Sequence, residues 1–225
     1  MPYILSLESS SEVCSVCVSE GGECLSLIET KEPFSHTRKM TLFIDECLKE
    51  AGIQVKELSA VAVSDGPGSY TGLRVSAATA KGLCFGLGIP LIAVDTLQAI
   101  ADHARYIYDG SLYIPMIDAR RMEVYYSVLD PHLKVLEQTN NLILETDVFS
   151  QYEDETLVLC GTGVEKSKEV FKTKAYDFFP FDLSAKHLIR IAQQKFDDEA
   201  FENIVSYGPN YFKAPKVTQS KKPLF

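Results

Sequence analysis

The residues with the most chemical promise stand together in Asp65-Gly66-Pro67-Gly68-Ser69-Tyr70-Thr71-Gly72-Leu73-Arg74. They follow an apolar run at 58–64 and precede an Ala-, Gly- and Ser-rich run at 75–87. A buried strand, a Gly-rich turn and a helix start leave backbone N–H groups pointing outward without intrahelical partners. Glycine permits positive φ and close approach of a second group, and Pro67 stiffens the turn. The pattern has two uses: an anion or nucleotide cradle, or a rigid turn that fixes a helix against a partner. The residues alone leave both open.

Other chemistries find less support. A serine nucleophile elbow needs Ser at the centre of G-x-S-x-G, and Tyr70 occupies that place in Gly68-Ser69-Tyr70-Thr71-Gly72. The four histidines, at 36, 103, 132 and 187, are scattered. No H-E-x-x-H and no Walker loop occur. Phosphate would have to be held by three small-residue turns, at 8–11, 66–72 and 161–163, each following a strand. That reading makes Glu8, Ser9, Ser10, Gly66, Gly68 and Ser69 the candidate nucleotide contacts, with Glu8 and Asp65 as carboxylates for magnesium. Cys14 and Cys17 form a C-x-x-C, but the run 13–19 alternates as a strand, which puts their sulfurs on opposite faces. The six cysteines read as small buried hydrophobes, and no metal is expected.

The helix behind the loop suggests an interface. Val75, Thr79, Gly82 and Gly86 recur at helical spacing, and an interior helix glycine costs about 1 kcal/mol relative to alanine. Those glycines need a packing reason, either the chain's own sheet or a helix of another molecule. Arg74 and Lys81 lie beside the stripe. Together with Met40 on the preceding helix, Arg74, Val75, Thr79, Gly82 and Gly86 are the candidate partner face.

The elements that must position these residues are legible from period and turns. Runs at 2–8, 13–19 and 23–29 read as a strand meander, with Gly21-Gly22 marking a hairpin. A helix over 36–51 buries Met40, Phe43, Ile44, Cys47, Leu48 and Ala51, with Ser35 as N-cap and Gly52 as stop. The 58–64 strand, the loop helix, a strand at 91–95 and a helix at 96–104 follow. From 110 the plan repeats, with strands at 112–118, 122–129, 133–138 and 156–160, a short helix after Gly163, and an amphipathic helix at 184–197. The order predicts an α/β chain of mixed sheets flanked by helices, in two domains, 1–105 and 106–225, the last helix packing back on the first.

The chain has 225 residues, 46% of them hydrophobic, and a mean hydropathy of -0.01, the composition of a soluble protein with a real core. No run nears the roughly 20 apolar residues of a membrane span, and the N-terminus lacks a basic leader, so a cytoplasmic location is expected. The net charge of -9 repels nucleic acid overall. The stretch 206–225 holds no acid but carries Lys213, Lys216, Lys221 and Lys222, either a solvated tail or an arm for RNA or an acidic partner.

Several segments resemble one family. Ile4-Leu5-Ser6-Leu7-Glu8-Ser9-Ser10-Ser11 is similar to its opening strand and turn, and 65–74 to its signature loop. Ala80-Lys81-Gly82-Leu83, Gly88-Ile89-Pro90-Leu91, Asp118-Ala119-Arg120-Arg121-Met122-Glu123-Val124-Tyr125 and the Pro209-Asn210-Tyr211-Phe212 ending also match in order. The family is TsaB, also called YeaZ, once grouped with glycoproteases. The resemblance implies two actin-like, RNase-H-like (ASKHA) domains and a role in making threonylcarbamoyladenosine beside the tRNA anticodon. It implies a non-catalytic scaffold that pairs with the catalytic paralogue TsaD through its N-terminal helices and forms a homodimer in its absence. TsaE would be an ATPase partner, and tRNA would be met through the complex. No cofactor is required on this reading, beyond weak ATP or ADP at an interface. The chain departs from the family at Glu8, where Asp is common, and Met122, where Gly is common. The alternatives from other classes are a stand-alone nucleotide-binding ATPase of this fold and, behind it, a peptidase.

Overall fold

The computed structural model describes residues 1–32 and 35–212, so the lysine-bearing end from Lys213 onward lies outside the described residues. β1 (Tyr3–Glu8), β2 (Cys14–Glu20) and β3 (Glu23–Thr30) form the expected antiparallel meander. After α1 (Ser35–Ala51), β4 (Ala60–Ser64) pairs parallel with β1. α2 (Tyr70–Leu87) then leads to β5 (Leu91–Val94), which is parallel to β4, and α3 (Thr96–Ala104) closes the first half. The sheet order is β3-β2-β1-β4-β5.

The second half repeats this plan strand for strand. β6 (Leu112–Asp118), β7 (Glu123–Leu129) and β8 (Val135–Ile143) are antiparallel neighbours, and β9 (Leu157–Cys160) and β10 (Asp177–Phe179) add in parallel. The order β8-β7-β6-β9-β10 is that of the first sheet with each strand advanced by five. α4 (Val164–Val170) follows β9, and α5 (Ile189–Asp197) is the last helix among the described residues. No described helix is long and apolar enough to cross a membrane.

Alternation assigns the faces. Leu5 and Leu7 of β1, with Val61 and Val63 of β4, face Met40, Phe43, Ile44 and Cys47 of α1 and Ala80 and Cys84 of α2. Ile4, Ala62 and Ile92 point the other way, into a core shared with Leu97 and Ile100 of α3, Ile191 and Ala192 of α5, and Tyr113, Ile117 and Val158 of the second sheet. The far face of that second sheet holds Ile114, Met116, Leu159, Phe149 and Phe171. Cys14 therefore lies in the helix-side core and Cys17 against Ala185 and Ile189, on opposite faces as their spacing requires. Among the described residues, no group of three or more His, Cys, Asp or Glu side chains could hold a metal ion.

Some elements differ from their sequence reading. α1 begins at Ser35, the residue expected to cap it, and α2 begins five residues before 75. β8 runs to Ile143 although Thr139, Asn140 and Asn141 give no apolar signal; backbone pairing of Tyr125 with Asn141 carries it. The 184–197 helix opens as a 3-10 turn, Ala185–Leu188, because Ser15 Oγ accepts the Ala185 N–H at 2.8 Å and His187 Nδ1 accepts the Ser184 N–H at 3.0 Å. β10 is only three residues long, too short for any periodicity to reveal.

The seam between the halves is held by charge and by rings. Asp102 of α3, 4% exposed, accepts from Arg105, the C-cap of that helix, and from Arg190 of α5, whose guanidinium also lies 3.8 Å from the Tyr106 ring centre. Asp102 is buried but Arg190 is two-fifths exposed, so solvent screens the pair and its contribution falls below that of a fully buried ion pair. Beside it, the rings of His103 and His187 approach to 4.2 Å, with Phe181 packed on both. Burial first, then His103 and Lys186, lower His187 to about 3, so it is neutral at neutral pH. A depressed imidazole contributes stability above its ordinary range and loses it as pH falls toward the folded value. The urea midpoint is therefore expected to drop as pH is lowered from about 6.5 toward 4, and His187→Asn, which keeps a cap acceptor without the titration, should flatten part of that drop.

Candidate functional site

β1 and β4 are parallel neighbours, so their C-terminal ends deliver two turns to one edge of the first sheet. The turns interlock. Ser9 Oγ donates to Gly72 O at 2.8 Å, and Ser69 N–H donates to Ser10 O at 2.6 Å. A Cβ on Gly72 would lie 1.9 Å from Ser9 O, and one on Gly68 would lie 2.5 Å from Ser10 O. Those contacts leave room for hydrogen alone. Ser69 Oγ accepts the Gly72 N–H at 3.3 Å and caps α2, which sets where the helix begins.

Gly66 meets a different partner. Its φ is +105°, a Cβ there would lie 2.6 Å from Asn210 O, and its N–H donates to Thr96 Oγ1 at 3.0 Å. Asn210 belongs to a strap that leaves α5, bridges Leu91 through Glu202, and crosses the mouth of the loop. Asp65 is its anchor. The Asp65 carboxylate accepts from Tyr207 OH at 3.0 Å and from Asn210 Nδ2, and Asp65 O accepts from Asn210 N–H at 2.8 Å. Lys81 Nζ reaches from α2 to Tyr207 O at 2.7 Å. At the strap's end Tyr211 packs on Tyr70 at 4.9 Å and Phe212 on Tyr125 at 6.3 Å, one ring for each half of the molecule.

A cleft of about 1420 Å³ opens beside this strap. The turn after β1 contributes Ser10 and Ser11, the loop after β4 contributes Gly68 and Ser69, and the turn after β9 contributes Thr162. The three small-residue turns thus share one cavity at the strand C-terminal ends, where α/β sheets bind ligands. The β6–β7 joint forms the opposite lip. Arg120 and Arg121 there adopt left-handed φ of 69° and 52°, a conformation that costs free energy in non-glycine residues. Lys166 holds the joint by donating to Asp118 Oδ1 at 2.9 Å, to Arg121 O at 3.0 Å and to Glu123 O at 2.5 Å.

Of the six candidate nucleotide contacts, Ser10, Gly68 and Ser69 line the cleft, and Glu8, Ser9 and Gly66 do not. Glu8 is completely buried; its carboxylate accepts from the Ser10 N–H at 2.5 Å and from Ser10 Oγ, so it braces the turn. Burial pushes that carboxyl above the usual range, against the hydrogen bonds from Ser10. On the partner face, Met40 is 2% exposed and belongs to the core, because it lies on the sheet-facing side of α1. Val75 and Thr79 are half-buried, with Val75 packed against that core, while Arg74, Gly82 and Gly86 are exposed. Arg74 donates to Tyr70 OH at 2.7 Å. A Cβ on Gly82 or Gly86 would meet nothing within 4 Å, so the chain's own packing does not explain those glycines. Asn210 and Tyr211 stand in the segment that resembles the family's ending and Lys81 beside the α2 stripe, but no local signal gives their partners or those of Tyr207, which lie 124 or more positions away in the chain.

The family model described as "TsaD: tRNA N6-adenosine threonylcarbamoyltransferase" matches residues 33–220. The chain is 38% identical over 124 residues to the tRNA threonylcarbamoyladenosine biosynthesis protein TsaB of Haemophilus influenzae, a match covering 55% of this chain and 52% of that protein. With TsaB of Buchnera aphidicola subsp. Acyrthosiphon pisum it shares 29% over 221 residues, 93% of this chain and 98% of the relative. The chain thus spans about half the length of the Haemophilus influenzae relative that it matches. Among solved structures, YeaZ from Pseudomonas aeruginosa superposes with a TM-score of 0.83 at 24% identity, covering 94% of this chain and all of the other. The activator of 2-hydroxyisocaproyl-CoA dehydratase from Clostridium difficile, solved with bound ADPNP, superposes at 0.51 with 10% identity over 89% of this chain and 98% of that one. The fold is the actin-like one, with two mixed sheets flanked by helices.

The interlocked turns predict a sharp contrast within α2. Gly72→Ala forces a methyl against Ser9 O and is expected to lower the unfolding free energy by about 3 kcal/mol. Gly82→Ala, into open space, should raise it by up to about 1 kcal/mol, both read from urea titrations. A second outcome concerns Asp65, which burial raises to about 6, opposed by the Tyr207 hydrogen bond and helped by Asp95 and Glu202. A raised carboxyl contributes stability at low pH that is lost as pH rises through the folded value. Wild type minus Asp65→Asn should therefore show stability declining between about pH 4 and 7, measured by unfolding midpoints across that window.

Proposed function

The chain belongs to the family that the TsaD model describes, on its TsaB (YeaZ) side, and on that premise we propose that it is a scaffold subunit for tRNA threonylcarbamoyladenosine formation. Its partner is a TsaD-type catalytic subunit, and the contact is made by the outer faces of α1 and α2. The observation that carries this reading is the surface of those helices, which pack side by side. Leu42 on α1 is 64% exposed and Phe85 on α2 is 84% exposed, large apolar groups with no buried role in the chain itself. Arg74, Ala78, Gly82 and Phe85 recur at i, i+4, i+8 and i+11, so one cation, two small residues and one aromatic knob form a single stripe. Open glycines beside an exposed aromatic ring suit close approach of another helix, with the ring as anchor.

Two features weigh against the ATPase reading. The glycines of the loop are committed to Ser9, Ser10 and Asn210, and Glu8 braces its own turn away from the cleft. The peptidase reading loses its nucleophile to the α2 cap, since Ser69 Oγ accepts the Gly72 N–H. A homodimer through the same stripe, contact with a TsaE-type ATPase, and approach to tRNA within the complex are parts of the proposal that follow from the family.

Co-expression with the TsaD protein of the same organism tests the interface. Phe85→Asp and Gly82→Arg are expected to weaken co-purification and the measured affinity by at least roughly 30-fold, the loss of an interface hot spot, with unfolding midpoints near wild type. Threonylcarbamoyladenosine formed on tRNA should fall with them. Wild-type affinity in both variants would refute the α1–α2 contact.

A further inference from the structure

The C-x-x-C pair divides across the first sheet, but one of its members meets a different cysteine. Cys17 on β2 and Cys24 on β3 bring their sulfurs to 3.4 Å. The strands are antiparallel neighbours in which Ser19 faces Cys24 and Cys17 faces Leu27. The two cysteines are therefore diagonal across the ladder, beside the register shift between Val18 and Ser19. Cys17 is fully buried, packed under Ala185 and Ile189, whereas Cys24 is exposed. Cys47, also buried, contacts Ser26 Oγ at 2.9 Å and donates to Val16 O.

An exposed thiol with a second thiol already against it can stop oxidation at a disulfide, before the irreversible acids form. We propose that Cys17 and Cys24 are a hydroperoxide-sensitive pair, in which Cys24 is oxidised first and Cys17 closes a reversible disulfide. In the first step the Cys24 thiolate attacks one peroxide oxygen, the O–O bond breaks, and two electrons pass from sulfur to oxygen. Cys24 becomes a sulfenic acid, and hydrogen peroxide leaves as one water. Cys17 sulfur then attacks Cys24 sulfur; the S–S bond forms, the S–O bond breaks, and the hydroxyl departs with the Cys17 proton as a second water. Two thiols and one hydrogen peroxide thus give one disulfide and two waters, and a dithiol reductant reverses the change. A disulfide is about 2.05 Å long, so the sulfurs need to close by about 1.4 Å. The exposed Cys24 side chain can supply that movement by rotation. Burial, then Cys24, push the Cys17 thiol upward, which directs the first oxidation to Cys24.

The test uses the full chain, reduced, treated with an equivalent of hydrogen peroxide, and alkylated under denaturing conditions. Cleavage after Glu12, Glu20, Glu23 and Glu29 separates the Cys14- and Cys17-bearing peptide from the one bearing Cys24. Mass spectrometry is expected to find these two joined, two hydrogens lighter than their sum, with fragmentation placing the bond at Cys17 and dithiothreitol releasing it. Cys14→Ser should leave the link intact, and Cys24→Ser, at the exposed site, should abolish it. In Cys17→Ser, checked for folding by circular dichroism, dimedone should trap Cys24 as the sulfenic acid. A bond at Cys14, a link between two molecules, or Cys24 advancing to sulfinic acid in the wild-type chain would overturn the proposal.

Discussion

Two backbones in contact organise this molecule. The turn that ends β1 and the turn that starts α2 touch through Ser9 O, Ser10 O, Gly68 and Gly72, and the Ser9 hydroxyl donates across the joint to Gly72 O. That contact fixes how far α2 sits from the sheet, and the Ser69 cap fixes where the helix begins. Because α2 packs on β4 and beside α1, its placement carries to the outer stripe of Arg74, Ala78, Gly82 and Phe85. A glycine loop that reads as a phosphate cradle is thereby a joint between two elements of one sheet layer.

The second constraint is the duplicated sheet. Each half buries one face under its own helices and turns the other toward a common core, where α3 and α5 meet residues of both sheets. Parallel pairing of β1 with β4 and of β6 with β9 sends the turns of both halves to the strand C-terminal ends. The cleft is a consequence of that topology rather than of any single motif. Its lips are set by Lys166 on one side and by the Asp65-anchored strap on the other.

Elements with strong period were legible in the sequence: the meander, the amphipathic α1 and the repeat of the plan after residue 110. Polar backbone-driven pieces were not, since the end of β8 is held by pairing and β10 is too short to show a pattern. At the site, glycine positions were found but their neighbours were not. Nothing local says that Gly68 faces Ser10, that Gly66 faces Asn210, or that Lys81 spends its charge on Tyr207 O, because each contact joins remote segments. Met40 runs the other way: its place on the apolar stripe of α1 turns it toward the sheet and buries it, so it is not available to an outer face.

The strap also orders events in time. Asp65 finds its Asn210 partner across 145 positions of sequence, although β1 to β5 are complete by residue 94. On a chain emerging from the ribosome, the first sheet can pair long before its loop has a lid. Closing so long a loop carries an entropic cost that grows only slowly with length, so the delay is one of synthesis more than of search. The last described residues complete the site that the first sheet began.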